Sequence, residues 1–219
     1  RNSPFLVDEA RRVAGSLDAQ TSPTIRIRDL FRKTLARDPG ADDVRLAESF
    51  LAESANEAVD SVPLWQYGYG RFDFEKNRIE DFHKLPHFTG KAWQGGEKLP
   101  DPKLGWVTLS ATGGHPGDPA HAGVFRWTAP HDGLFGVAGR MTHSSDQGDG
   151  VEAIINVPSS GVTGRAVSQN GSKDTLLMPV RLSAGDHIDM IAHCRQNPSF
   201  DSYNWSFEVR NFDSDRPGE

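Results

Sequence analysis

Hydrophobic positions change their period part-way along the chain. Up to about residue 60 they recur at helical spacing. Ile27, Leu30, Phe31 and Leu35 fall on one face of a segment from about 24 to 36. Asp38-Pro39-Gly40 is a stop signal, and Asp42 and Asp43 then open a further helix whose buried side is Leu46, Phe50 and Leu51. Ahead of both, Ser3 suits the cap of a helix with Pro4 at its first position and Phe5, Leu6, Val13 and Leu17 as its apolar side. From Leu64 onward the period is two. Strands are predicted over 64–72, 105–111, 123–128, 134–143, 151–157, 164–168, 175–182, 187–192 and 203–209. Val151, Ala153, Ile155 and Val157 share one face, as do Tyr203, Trp205, Phe207 and Val209. Asp132-Gly133, Gly148-Asp149-Gly150, Asn170-Gly171 and Gly185-Asp186 supply the turns between them. Many short strands with no helical pattern between them predict a mainly β chain. The expected fold is an antiparallel β-sandwich of jelly-roll type with a short N-terminal helical segment. The stretch 76–103, rich in aromatic residues and proline, reads as an irregular binding loop.

Composition marks the same boundary. Residues 1–60 hold 2 of the 22 glycines and 3 of the 20 aromatic residues, whereas all eight histidines and all five tryptophans follow it. The chain therefore divides at 1–60, helical, and 61–219, strand-rich. Sixty residues bury little surface alone, so the helical part is expected to lean on a further domain. The opening Arg1-Asn2-Ser3-Pro4 has neither an initiator methionine nor a leader, which fits a cut through a longer or processed protein. With 24 Lys+Arg against 30 Asp+Glu, a formal charge of −6, and no dense basic patch, nucleic acid is not an expected partner. No apolar run approaches the ~20 residues of a membrane-spanning helix, so no transmembrane segment is expected. The lone cysteine, Cys194, leaves no internal disulfide and no cysteine-based zinc site. It is followed by Arg195, so no Cys-x-x-Cys-His is present and no c-type haem is attached to this chain.

Aromatic rings bind sugars because the C–H faces of pyranoses pack on π faces while hydroxyls pair with nearby polar groups. Trp93 has that setting, beside Gln94 and two glycines in the irregular stretch, although a core role is open to it as well. Trp106, Trp127 and Trp205 lie in alternating patterns and read as core, and Trp65, Tyr67 and Tyr69 read as packing along one strand face. His115, His121 and Arg140 are the further candidate ligand contacts, as hydrogen-bonding groups for hydroxyls. His187, Asp189 and His193 share a strand face, a trio suited to a divalent transition metal, or simply three residues each satisfied on its own. Calcium prefers carboxylate and carbonyl oxygens from loops, and Asp146, Asp149 and Asp201 lie in polar loops at strand ends with Asn204 close by. Asp149, between two glycines, also suits a turn that ties its own backbone.

Taken in order, Trp65-Gln66-Tyr67-Gly68-Tyr69-Gly70, Trp93-Gln94-Gly95-Gly96, Leu104-Gly105-Trp106, Gly113-Gly114-His115-Pro116 and Arg126-Trp127-Thr128-Ala129-Pro130 form a distinctive series. It continues through Asp132-Gly133, Gly148-Asp149-Gly150-Val151, Ala184-Gly185-Asp186-His187-Ile188-Asp189 and Asp201-Ser202-Tyr203-Asn204-Trp205. The series resembles a C-terminal, carbohydrate-binding-like module of large planctomycete cytochrome-c-associated proteins. The first ~55 residues, notably Asn2-Ser3-Pro4-Phe5 and 30–51, resemble the closing helices of the domain before it. The resemblance implies an extracytoplasmic (periplasmic or secreted), non-catalytic module joined to helical and haem-bearing domains, with the haem ligands elsewhere. Three functions are thus in view. The first is binding of a polysaccharide or other glycan by Trp93, Gln94, His115, His121 and Arg140. The second is structural docking without a glycan site, and the third a metal-dependent enzyme acting on polysaccharide.

Overall fold

The computed structural model describes residues 22–57 and 64–213, with short pieces at 12–13 and 15–17. Two compact units result, one helical and one built of strands. The helix expected from Ser3 lies largely outside the described residues.

In the helical unit, α1 (Pro23–Leu35) is capped by Ser22, whose hydroxyl accepts the Ile25 N–H at 3.4 Å. It ends at Ala36, in the left-handed conformation, whose N–H returns to the Arg32 carbonyl. Asp43 accepts the Gly40 N–H at 2.9 Å and is clasped by Arg37, which sets the start of α2 (Ala41–Glu57). Ile27 is buried, but Leu46, expected inside, is 73% exposed, and Leu30 and Leu35 are exposed too. Two packed helices cover only one stripe of each other and leave these leucines outside it; the side chains of Phe50 and Leu51, also expected inside, lie outside the described residues. No helix among the described residues is long and apolar enough to cross a membrane.

The strand unit begins with β1 (Trp65–Asp73), β2 (Arg78–Lys84), β3 (His87–Phe88), β4 (Ala92–Gln94) and β5 (Thr108–Ser110). It continues with β6 (Gly113–His115), β7 (Ala122–Thr128), β8 (Gly133–His143), β9 (Val151–Val157) and β10 (Val162–Ser168). β11 (Gly171–Leu182), β12 (His187–His193) and β13 (Tyr203–Asn211) complete it. They form a six-stranded sheet, β10-β9-β12-β7-β1-β2, and a seven-stranded sheet, β11-β8-β13-β6-β5-β4-β3. The sheets face each other through aromatic rings from alternate positions. Trp65 meets Phe207 at 6.1 Å between centroids, Phe125 meets Phe207 at 5.3 Å, and Trp127 meets Phe135 at 4.9 Å. This is the antiparallel sandwich of jelly-roll type, with a short helical segment before it.

The expected loop over 76–103 instead contains β2, β3 and β4. Strands of two and three residues are too short to show alternation, and β2 carries the charged residues of a sheet edge. The β1–β2 hairpin also folds back over the outer face of the six-stranded sheet. There Phe72, Ile79 and Phe82 pack on Ala122, Val124, Ile154 and Ile191. The fold-back requires glycine at 68, because a Cβ there would stand 2.4 Å from both the Phe82 ring and the His83 carbonyl. The register slips between Tyr69 and Arg71, which lets the hairpin bend. Its tip is pinned where the Asn156 amide donates to the Asn77 carbonyl at 2.9 Å.

Candidate functional site

A cleft of about 550 Å³ opens where the β1–β2 edge meets the loop between β4 and β5. Tyr69 forms its floor. It belongs to the inward row of β1 with Trp65 and Tyr67, but at the register slip it emerges half-exposed. His83 is its cross-strand partner, with rings 5.3 Å apart, and His121 approaches the same ring at 5.7 Å. His121 is held by its Nδ1 at 2.7 Å from Asp118 Oδ1, in a turn closed by the Gly117 N–H on the His121 carbonyl. Lys84, Pro86, Pro102, Lys103 and Leu104 complete the walls. Asp101 also lines the cleft, but its carboxylate accepts the Lys103 and Leu104 N–H groups at 2.9 Å each, which hold its pKa below the usual range. It is engaged in bracing its own loop.

Two residues beyond Leu104, Trp106 is 51% exposed, with His115 at 6.3 Å between rings. His115 donates from Nδ1 to the Pro116 carbonyl at 2.5 Å. Burial pushes its pKa down, so near neutral pH the ring is uncharged and Nε2 carries a lone pair.

Of the two roles open to Trp93 the structure shows packing, and Trp106 departs from the core role expected of it. Trp93 sits on β4 rather than in a loop, and its ring packs on Tyr67, stacked at 5.9 Å, and on Phe88 at 4.9 Å. Trp106, expected inside, precedes β5 in a turn where Gly105 has φ +62°, and it points outward while Val107 is fully buried. Gln94 is buried and donates to the Gly96 carbonyl at 2.6 Å. Arg140 stands on β8, separated from β4 by β13, β6 and β5, and pairs with Asp174 at 2.6 Å. Of the five expected contacts, His121 packs against Tyr69, which lines the cleft, and His115 flanks Trp106. Sequence reasoning missed Tyr69, His83, Lys84 and Lys103. Tyr69 had a signal, as the last member of an aromatic row, whereas the other three had none.

His187, Asp189 and His193 do share the outer face of β12, but not as a ligand set. Both Asp189 oxygens accept from Arg126, at 2.7 and 2.9 Å, and His193 Nδ1 accepts the Arg195 N–H at 2.9 Å. Among the described residues no three His, Cys, Asp or Glu side chains gather as metal ligands. The loop acids fare differently. Asp149 is close enough to Asp201 for its charge to act on that carboxyl, whereas Asp146 and Asn204 stay exposed. Asp201 is fully buried, and burial followed by the charge of Asp149 pushes its carboxyl up to about 7.

No protein-family model and no characterised protein matches the sequence. Among solved structures, a CBM35 from Cellvibrio japonicus Abf62 is similar at 14% identity over 67% of this chain and 93% of its own, with a TM-score of 0.29. Xyl-CBM35, solved with a glucuronic acid-containing disaccharide, is similar at 15% identity over 52% and 86%, with a TM-score of 0.26. A Paenibacillus sp. cycloisomaltooligosaccharide glucanotransferase complexed with cycloisomaltoheptaose is similar at 16% identity over 53% of this chain, with a TM-score of 0.28. This chain spans 15% of that enzyme's length. At these scores the overlap is partial, and the fold rests on the two sheets themselves.

Proposed function

We propose that the sandwich binds a carbohydrate in the cleft of Tyr69, His83 and Lys84 and against the ring of Trp106, and does no chemistry of its own. The observation that carries this reading is Trp106, a large ring half in solvent beside His115 and two residues after Leu104 of the cleft wall. An indole so placed offers a sugar its π face, while Lys84, Lys103, His83 and the uncharged His115 offer hydrogen bonds to hydroxyls. The non-catalytic part of the reading is supported by Asp101, the carboxylate lining the cleft, which is engaged by its own loop rather than facing a second acid across a bond. From the sequence resemblance we carry over the context. Residues 1–60 are then the end of an upstream helical domain and 61–219 the module, outside the cytoplasm and beside cytochrome domains. Fractionation of cells that make the full-length protein tests that placement.

The binding test is affinity electrophoresis of the chain in gels containing neutral or acidic polysaccharides, alongside Trp106→Ala. A ring contact of about 1.4 kcal/mol corresponds to about tenfold in affinity, so the variant should lose about that much while melting as the parent does. Absence of retention on every polysaccharide overturns the reading. Equal retention of parent and variant removes Trp106 from the site.

A further inference from the structure

We infer that Asp149 and Asp201 hold a hard divalent cation of the calcium class between the loop that joins β8 to β9 and the loop that joins β12 to β13. This inference stands apart from the carbohydrate reading and uses none of its residues.

Three carboxylate oxygens carry it. Asp201 is fully buried and neither of its oxygens has a hydrogen-bond partner among the described residues, and the same is true of Asp149 Oδ1. Bare carboxylate charge in such a place is costly, and a protein relieves it with a donor, a proton or a cation. The donors nearby are engaged elsewhere. The Arg195 guanidinium donates to the Asp149 main-chain carbonyl, and the Gln196 N–H reaches Asp149 Oδ2 at 3.1 Å. His143 Nε2 lies 3.7 Å from Asp201 Oδ1 but donates to the Phe200 carbonyl at 2.9 Å. Because that nitrogen carries the proton, it presents no lone pair toward the aspartates, and the ligating atoms are all oxygen. Oxygen donors in loops suit calcium, whose coordination number is flexible, better than zinc or copper.

The two loops are pressed together around this point. A Cβ on Gly148 would stand 2.7 Å from the Ser199 carbonyl and 3.6 Å from Asp201 Oδ1. Two carboxylates against the single Arg195 charge leave one negative charge in excess, which a divalent ion reverses and a single proton cancels. A proton on Asp201 is therefore the rival occupant. The pairing of β12 with β7, Ala192 opposite Gly123, places the site in the molecule, since it sets the start of the loop after β12 beside the end of the loop before β7. The loop carrying Asp118 and His121 thus lies at the same end of the sandwich, and a bound ion would brace it indirectly.

The experiment strips the full chain with a chelator and titrates calcium chloride by calorimetry, with melting temperature followed in parallel. One ion should bind per chain, the melting temperature should rise with calcium concentration, and terbium should displace calcium and luminesce through nearby aromatic excitation. Asp201→Asn should abolish binding, and Asp149→Asn should weaken it at least tenfold. Asp149→Asn keeps the inference testable if Asp201→Asn does not fold. If the site holds a proton only, the parent chain shows no calcium-dependent change at millimolar ion, and Asp201→Asn melts as the parent does. That result overturns the inference, and so does binding that survives in both variants.

Discussion

Replacing Asp189 by alanine tests how the outer face of the six-stranded sheet is held. The carboxylate is fully buried and takes two hydrogen bonds from Arg126, at 2.7 Å from Nε and 2.9 Å from Nη2. The guanidinium lies 4.0 Å from the centroid of the Phe82 ring, and the Arg126 side chain is 18% exposed. With charge centres about 4 Å apart and an effective dielectric of about 20, the attraction is about 4 kcal/mol. Removing the carboxylate leaves the guanidinium buried under β2 with its desolvation no longer offset. His187, at 3.7 Å from Asp189, adds no compensating charge, since burial pushes its pKa below the usual range. Residual exposure of Arg126 recovers part of the cost, so the expected loss is about 3 kcal/mol, or about 6–12 °C in Tm for a sandwich of this size. Guanidinium chloride denaturation of the full chain, read by tryptophan fluorescence, measures it cleanly because all five tryptophans lie between positions 65 and 205. Arg126→Met with Asp189→Leu removes both charges at similar volume and should recover most of the loss. A single variant that loses less than about 1 kcal/mol, or a double variant no more stable than the single, would refute the reasoning.

Two further outcomes follow from the same face of the sheet. Gly68→Ala should cost about 2–3 kcal/mol in the same denaturation assay, because its Cβ meets the His83 carbonyl and the Phe82 ring at 2.4 Å. Gly171→Ala, where the nearest atom is the Gln169 carbonyl at 3.7 Å, is the control and should change stability little. Burial lowers the pKa of His193, whose Nδ1 accepts the Arg195 N–H, so the unfolded chain takes up that proton first. Its stabilising contribution is present above about pH 6.5 and is lost as the pH falls through the folded-state value. Tm measured from pH 8 downward should therefore decline below about 6.5, less steeply in His193→Gln, and parallel curves would contradict the assignment.

How much of this was legible depends on whether one segment or two had to be read together. The alternation of Tyr203, Trp205, Phe207 and Val209 was sufficient for β13, because one face of that strand meets the core and the other meets water. β9 was harder. Val151, Ala153, Ile155 and Val157 marked its inner face, yet every position of the strand is buried, including Glu152, Ile154 and Asn156. What buries the second face is the β1–β2 hairpin, some 80 residues earlier, and its ring-bearing positions Phe72, Phe74 and Phe82 sit among charged residues with no local sign of an inward course. The same limit governs the sites. Trp93 lies on a strand of three residues, too few to establish a period and decide between its two roles, and Trp106 lies in the turn before β5, where alternation does not apply. Asp149 and Asp201 were legible as loop acids, but which loops meet is a property of topology. β8 lies beside β13, and β9 beside β12, so the loops at these strand ends, which carry Asp149 and Asp201, must meet. Local pattern thus identifies which residues have chemistry to offer. Sheet order decides which loops meet, and within the loop between β8 and β9 it is Asp149 that engages the neighbouring loop, through the Gln196 N–H, while Asp146 stays in solvent.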